Sequence, residues 1–132
     1  MCWISKTIPI KNIAEKDIIC YKVFYIRDII LEQNKIQKIY SQYRHFPYIP
    51  YKKQEHINLE IENYTIEKRI TFGYHSYGTL ERAQYVVYNL LHKSNYNIIE
   101  CIIPKDSEYY VNYYQEIVSS NIIVTDKILN YL

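Results

Sequence analysis

The sequence predicts an α+β fold, with mostly antiparallel strands around one main amphipathic helix at about residues 80–93. Three observations predict it. Runs of β-branched and aromatic residues recur at 18–27, 97–103 and 122–124. A single segment after Thr79 carries apolar residues at helical spacing. Strands precede and follow that helix and do not alternate with further helices, which argues against a doubly wound α/β sheet.

Along the chain, residues 1–16 read as an irregular or short helical lead-in. The run at 18–27 reads as a strand. Lys22 interrupts one of its apolar faces, which suggests an edge position or an end open to water. Residues 35–40 are its expected hairpin partner, with Gln33 and Asn34 at the turn. Residues 46–51 hold two prolines, which remove ladder donors, so an extended, aromatic-rich crossing segment is expected and not a central strand. Residues 57–62 alternate apolar Ile57, Leu59 and Ile61 with polar Asn58, Glu60 and Glu62, the pattern of a half-buried strand. Residues 64–72 continue in β-like composition.

The helix is the clearest element. Thr79 is a good N-cap, and Glu81 places a negative charge in the first turn. Ala83, Val86, Val87, Leu90 and Leu91 follow on one face, and Lys93 and Asn95 supply C-terminal signals. A strand at 97–103 stops at Pro104, with Lys105, Asp106 and Ser107 as a turn. A further strand lies around 122–124, followed by an apolar tail at 128–132.

At 132 residues, 48% hydrophobic and 23% charged, the chain can bury a real core as a single domain spanning 1–132. A net charge of +2 with scattered lysines gives no basic stripe, so nucleic acid is not the expected partner. No apolar stretch reaches the ~18 residues of a membrane span, and the N-terminus lacks a signal peptide's apolar core. The three cysteines, Cys2, Cys20 and Cys101, are odd in number and far apart in sequence. Cys20 and Cys101 read as small apolar strand residues in a reduced, cytoplasmic protein of a bacterial host cell. Neither they nor His45, His56, His75 and His92 show metal-ligand spacing, and no cofactor is expected. A nucleophile elbow and a phosphate loop are both missing.

One segment stands out. The chain has only two glycines, Gly73 and Gly78, and both flank Tyr74, His75, Ser76 and Tyr77 just before the helix. Glycine serves where backbone takes positive φ or another group comes close. The adjoining helix N-terminus offers N–H groups and partial positive charge to an anion. A strand-to-helix turn and a packed histidine would account for the same residues. The 17 tyrosines exceed a packing need, and the stretch 40–53 mixes Tyr40, Tyr43, Arg44, His45, Phe46, Tyr48 and Tyr51 with lysines. Such surfaces stack a base and neutralise a phosphate, or make a protein interface. Glu116 is a candidate carboxylate or an ordinary surface glutamate.

Residues 2–6 and 13–23, with 73–77, 80–83 and 101–105, resemble a family of small phage, prophage and gut-bacterial proteins. The resemblance covers both ends and the centre but not residues 27–70, and it implies no particular chemistry. The order glycine–aromatic–histidine, then a helix with Ala83 and Tyr85, then a buried strand also resembles ADP-ribosyltransferase-like domains. That likeness implies an NAD pocket, with His75 or Tyr21 orienting the cofactor and Glu116 as carboxylate.

The expected function is a phage-encoded binding protein for a nucleotide-derived signal, counteracting host defence by sequestration. Tyr74, His75, Tyr77, Arg44, Tyr48 and Arg82 would contact the ligand, with Gly73 and Gly78 shaping the backbone. Such a protein could complete its pocket as a homo-oligomer. The alternatives are an NAD-using transferase and a module that binds a host protein through residues 40–53.

Overall fold

A computed structural model describes residues 3–40 and 47–129. Tyr43, Arg44, His45 and Phe46, and the end of the apolar tail, lie outside the described residues. The fold is mostly antiparallel sheet with one α-helix among the described residues, an α+β or mostly-β architecture.

Among the described residues thirteen strands form three sheets. The largest has seven strands in the order β13-β10-β3-β9-β12-β11-β2. These are β2 (Asn12–Ile13), β3 (Ile18–Tyr25), β9 (Tyr74–Tyr77), β10 (Tyr96–Ile103), β11 (Glu108–Val111), β12 (Glu116–Ser119) and β13 (Ile123–Leu129). Its backbone is the pair β3–β10, antiparallel over eight residues from Tyr96↔Tyr25 to Ile103↔Ile18. β3 thus lies inside the sheet and not at an edge, which corrects the expectation drawn from Lys22. Both its neighbours are supplied by residues far along the chain, which local pattern does not reveal.

Alternation along the strands sends each set of side chains to one of two faces. One face carries Cys20, Phe24, Ile99, Cys101, Ile103, Ile117 and Val124. It is covered by the sheet β4-β5-β6, made of β4 (Ile29–Glu32), β5 (Lys35–Tyr40) and β6 (Pro47–Tyr48), through Ile29, Ile36, Ile39 and Tyr48. The turn at Gln33 and Asn34 forms as expected, with φ of 52° and 64°. Its first arm, however, is the separate strand β4, because a 3-10 turn over Ile26–Asp28 breaks the chain after β3. β6 is an edge strand, where a proline costs no ladder bond. The chain then crosses the core in extended form: Tyr51, Gln54 and Ile57 donate backbone N–H to the carbonyls of Val124, Ile122 and Ser120.

The opposite face has two covers. The helix α1 (Leu80–Tyr88) packs Ala83 and Val87 against Tyr77 and Ile98. The third sheet, β1 (Trp3–Ser5), β8 (Lys68–Ile70) and β7 (Glu62–Asn63), places Trp3 and Ile70 on Tyr110 and Val118. The lead-in is irregular over residues 6–11 and 14–16, as expected, but it carries two short strands, β1 and β2, and no helix. The alternation survives as a burial pattern over 57–60, but Ile61 is exposed where Glu62 is half-buried, and only residue 62 of the segment enters a ladder.

The helix ends about one turn before residue 93. Asn89 donates through Nδ2 to the Tyr85 carbonyl at 2.8 Å, and His92 takes a left-handed φ of 57°. A polar side chain that satisfies a last-turn carbonyl ends the ladder there. Leu91, expected on the apolar face, is 85% exposed beyond the end. Thr79 is the N-cap, its Oγ1 accepting the Arg82 N–H. The turn at 104–107 also forms, with Ser107 N–H on the Pro104 carbonyl and Asp106 at φ 72°.

Gly73 is required by close approach. A Cβ there would lie 2.5 Å from Val118 Cγ2 and 2.7 Å from Leu59 Cδ2, and its φ is 151°. Gly73→Ala is expected to destabilise the fold by about 2–4 kcal/mol through overpacking and backbone strain, measured by urea unfolding. Leu59→Ala removes one of the clashing atoms. The double variant should therefore lose less than the sum of the two single variants, and strict additivity would refute this account.

Candidate functional site

The five expected ligand residues that lie among the described ones are not brought together in one place. Tyr74 and Tyr48 lie in the core between the seven-stranded sheet and β4-β5-β6, with ring centroids 6.5 Å apart, and Tyr74 donates its hydroxyl to the Glu55 carbonyl. Both are below 10% exposed, so they present no surface to a ligand. His75 points to the other face, where its Nε2 sits 3.0 Å from the Thr71 carbonyl. A carbonyl can only accept, so that nitrogen carries the proton. Tyr77 and Arg82 are near one another on the helix-covered face. Arg44 lies outside the described residues.

Two groupings remain. The first surrounds Arg82 in the opening turn of α1. Its guanidinium stands over the rings of Tyr85, one turn on, at 5.0 Å, and Tyr114 at 5.3 Å. Tyr114 belongs to the β11–β12 hairpin, whose turn is built by Asn112: Oδ1 accepts the N–H groups of Tyr114 and Glu116, and Nδ2 donates to Glu116 Oε1 and the Ile4 carbonyl. The turn packs against Gly78, just before the helix. The Gly78 N–H donates to the Gln115 carbonyl, and a Cβ would meet Gln115 Oε1 at 3.0 Å.

Arg82 makes no ion pair among the described residues, and its Nε is buried without a hydrogen-bond partner. Beneath it, burial first and the Glu116 carboxylate second push the Tyr77 hydroxyl up to about 12, with Arg82 pulling the other way. Tyr77 therefore stays a neutral phenol at ordinary pH. A cation with an orphaned donor, flanked by aromatic rings that are more than half exposed, is arranged to receive an anion that carries a planar group.

The second grouping is interior and centres on Lys22. β3 and β9 are in register only at Tyr21↔Tyr77. Beyond that point the Lys22 ammonium bridges them, donating to the His75 carbonyl. It also lies 5.7 Å from the Phe24 ring centroid and 5.9 Å from that of Tyr48. Burial holds the amine below the ordinary lysine range. Ser76, across the seam, is buried with its hydroxyl unpartnered.

Sequence reasoning read Lys22 only as a break in an apolar face and did not single out Tyr114 or Asn112. A lysine inside a β-branched run was a usable signal for a buried cation. Nothing local marks a residue of the 112–116 turn as a neighbour of Arg82.

The two titrations give opposite pH slopes. Lys22 loses its proton at lower pH folded than unfolded, so the unfolded chain binds more protons between the lowered value and about 10.4, and stability rises with pH there. For Tyr77 the unfolded phenol ionises first, between about 10 and about 12, and up to roughly 2–3 kcal/mol of stability is lost. Urea unfolding across alkaline pH should show Lys22→Met flattening the rise and Tyr77→Phe flattening the fall. Unchanged slopes in both would overturn these assignments.

No protein-family model, curated protein or solved structure matches this chain.

Proposed function

We propose that this is a binding protein for a nucleotide-type small molecule, which it sequesters without converting it. The observation that carries the reading is Arg82, a guanidinium with no carboxylate partner among the described residues, a buried unpaired Nε, and tyrosine rings on either side. A phosphate would take the fork of the guanidinium, and a base would stack on Tyr85 or Tyr114. Tyr113, 93% exposed and 5.6 Å from the Tyr114 ring, extends the aromatic surface. Host-defence signals of cyclic or linear nucleotide type fit this chemistry, and sequestration would suit a phage-encoded protein.

A second reading has one observation of its own. The register sets Tyr21 opposite Tyr77 and Tyr77 opposite Glu116, so two side chains named for an NAD-using transferase, Tyr21 and Glu116, share one sheet face on either side of Tyr77. Release of nicotinamide on incubation with NAD would favour that reading.

The expected outcome for the binding reading is a rise in thermal midpoint with one nucleotide class. The panel would include NAD, ADP-ribose, its cyclic forms, and cyclic di- and trinucleotides. Full binding at a hundredfold excess adds about 2.7 kcal/mol. The ligand should be recovered intact. Arg82→Gln should abolish the shift while leaving the far-UV spectrum unchanged, and Tyr114→Ala should weaken it at least tenfold. No shift with any member, or equal shifts with Arg82→Gln, would remove this assignment.

A further inference from the structure

Cys20 and Cys101 are far apart in sequence, yet they are directly opposed partners in the β3–β10 ladder. Both are free thiols with no exposed surface, on the sheet face covered by β4-β5-β6. Opposed residues in antiparallel strands have Cα atoms about 4.5–5.5 Å apart, inside the window of about 4.4–6.8 Å that a disulfide spans. The Cys101 thiol donates to the Ile99 carbonyl at 3.5 Å, along its own strand. Lys22 is two residues from Cys20 on the same face, so its ammonium stands beside the pair, and the unpartnered Ser76 hydroxyl neighbours Cys20.

We infer that Cys20 and Cys101 form a two-electron redox site, closed to an intramolecular disulfide by hydroperoxides. The roles of the two thiols differ. The Cys101 thiol, Ser76 and the Lys22 ammonium favour the Cys20 thiolate against the cost of burial, whereas burial pushes the Cys101 thiol well up. Thiolate is the nucleophile. Cys20 Sγ attacks one peroxide oxygen, the O–O bond breaks, and the products are the Cys20 sulfenic acid and, after protonation, water or an alcohol. Cys101 Sγ then attacks the sulfenic sulfur. The S–S bond forms, the S–O bond breaks, and hydroxide leaves as water with the Cys101 proton. The two thiols are oxidised, the peroxide is reduced, and a dithiol reverses the reaction. Because the pair sits at the Lys22 seam, closing it ties β3 to β10 beside the least-paired junction of the sheet.

The test uses the full chain carrying Cys2→Ser, which leaves only this pair. The folded protein is treated with hydrogen peroxide, then unfolded and alkylated. The expected result is a monomer lighter by two hydrogens, with no alkylatable thiol until dithiothreitol restores both, and a crosslinked peptide pair containing Cys20 and Cys101. With Cys101→Ala added, oxidation should stop at a sulfenic acid on Cys20 that dimedone captures. Two alkylatable thiols after exposure sufficient to oxidise the urea-unfolded chain would overturn the inference. Disulfides found only between two chains, or sulfinic acid in place of the crosslink, would overturn it as well. The mass readout on the Cys2→Ser protein stands even if the Cys101→Ala variant fails to fold.

Discussion

The fold turns on the junction between β3 and β9. On one side lies the block β13-β10-β3, held by the eight-residue β3–β10 ladder; on the other lies β9-β12-β11-β2. The two blocks share one register pair, Tyr21↔Tyr77. A seam this sparse leaves backbone groups in need of partners in a place that water does not readily reach. The Lys22 ammonium supplies one of them by bonding the His75 carbonyl, and the rings of Phe24 and Tyr48 close over it. A hydrogen bond from a charged donor is stronger than a neutral ladder bond, which helps offset the cost of taking the amine out of water. The depressed basicity of Lys22 is the trace of that cost.

The seam also explains why two different surfaces meet the sheet. The face with Lys22, Cys20 and Cys101 is sealed by the β4-β5-β6 sheet and by the extended segment after it. Asn121 helps hold that segment, donating from Nδ2 to the Gln54 carbonyl. The other face is split, with α1 over the seam and Trp3 over the β11–β12 end. The indole also ties this cover to the strand beneath, donating through Nε1 to the Glu116 carbonyl. Arg82, in the opening turn of α1, stands over the rings of Tyr85 and of Tyr114 from the neighbouring hairpin turn. Asn112 organises the hairpin turn, Gly78 admits it, and the Thr79 cap sets the opening turn of the helix.

The tyrosines divide by location. Tyr48, Tyr74, Tyr77 and Tyr110 are core residues, whereas Tyr85, Tyr88, Tyr113 and Tyr114 are exposed around α1 and the neighbouring hairpin. A phenol suits both positions because it offers a large apolar ring and one polar atom, which in the core can reach a backbone carbonyl, as Tyr74 reaches Glu55. The exposed set is the part that packing does not account for, and Tyr85 and Tyr114 of that set lie beside an arginine whose Nε has no hydrogen-bond partner among the described residues.

Local signals determined the elements whose causes are local. The β-branched run of β3, the left-handed pair Gln33–Asn34, the Thr79 cap and the Pro104 stop all act within a few residues, and each is found where the sequence indicates. The mostly antiparallel character, with one α-helix among the described residues, followed from the same signals. Elements that exist only through distant partners were not legible. β1 and β2 are short, and their ladders join residues up to about a hundred positions apart. The helix end was set by one Asn89 side chain against a longer apolar pattern. The candidate site depended most on tertiary structure. Alternation in β9 sends Tyr74 inward and Tyr77 to the opposite face, and only the hairpin turn brings Tyr114 to Arg82. Likewise, only the β3–β10 register sets Cys20 against Cys101. Pairing between distant strands depends on the summed burial of both faces, and no single stretch of sequence carries that sum.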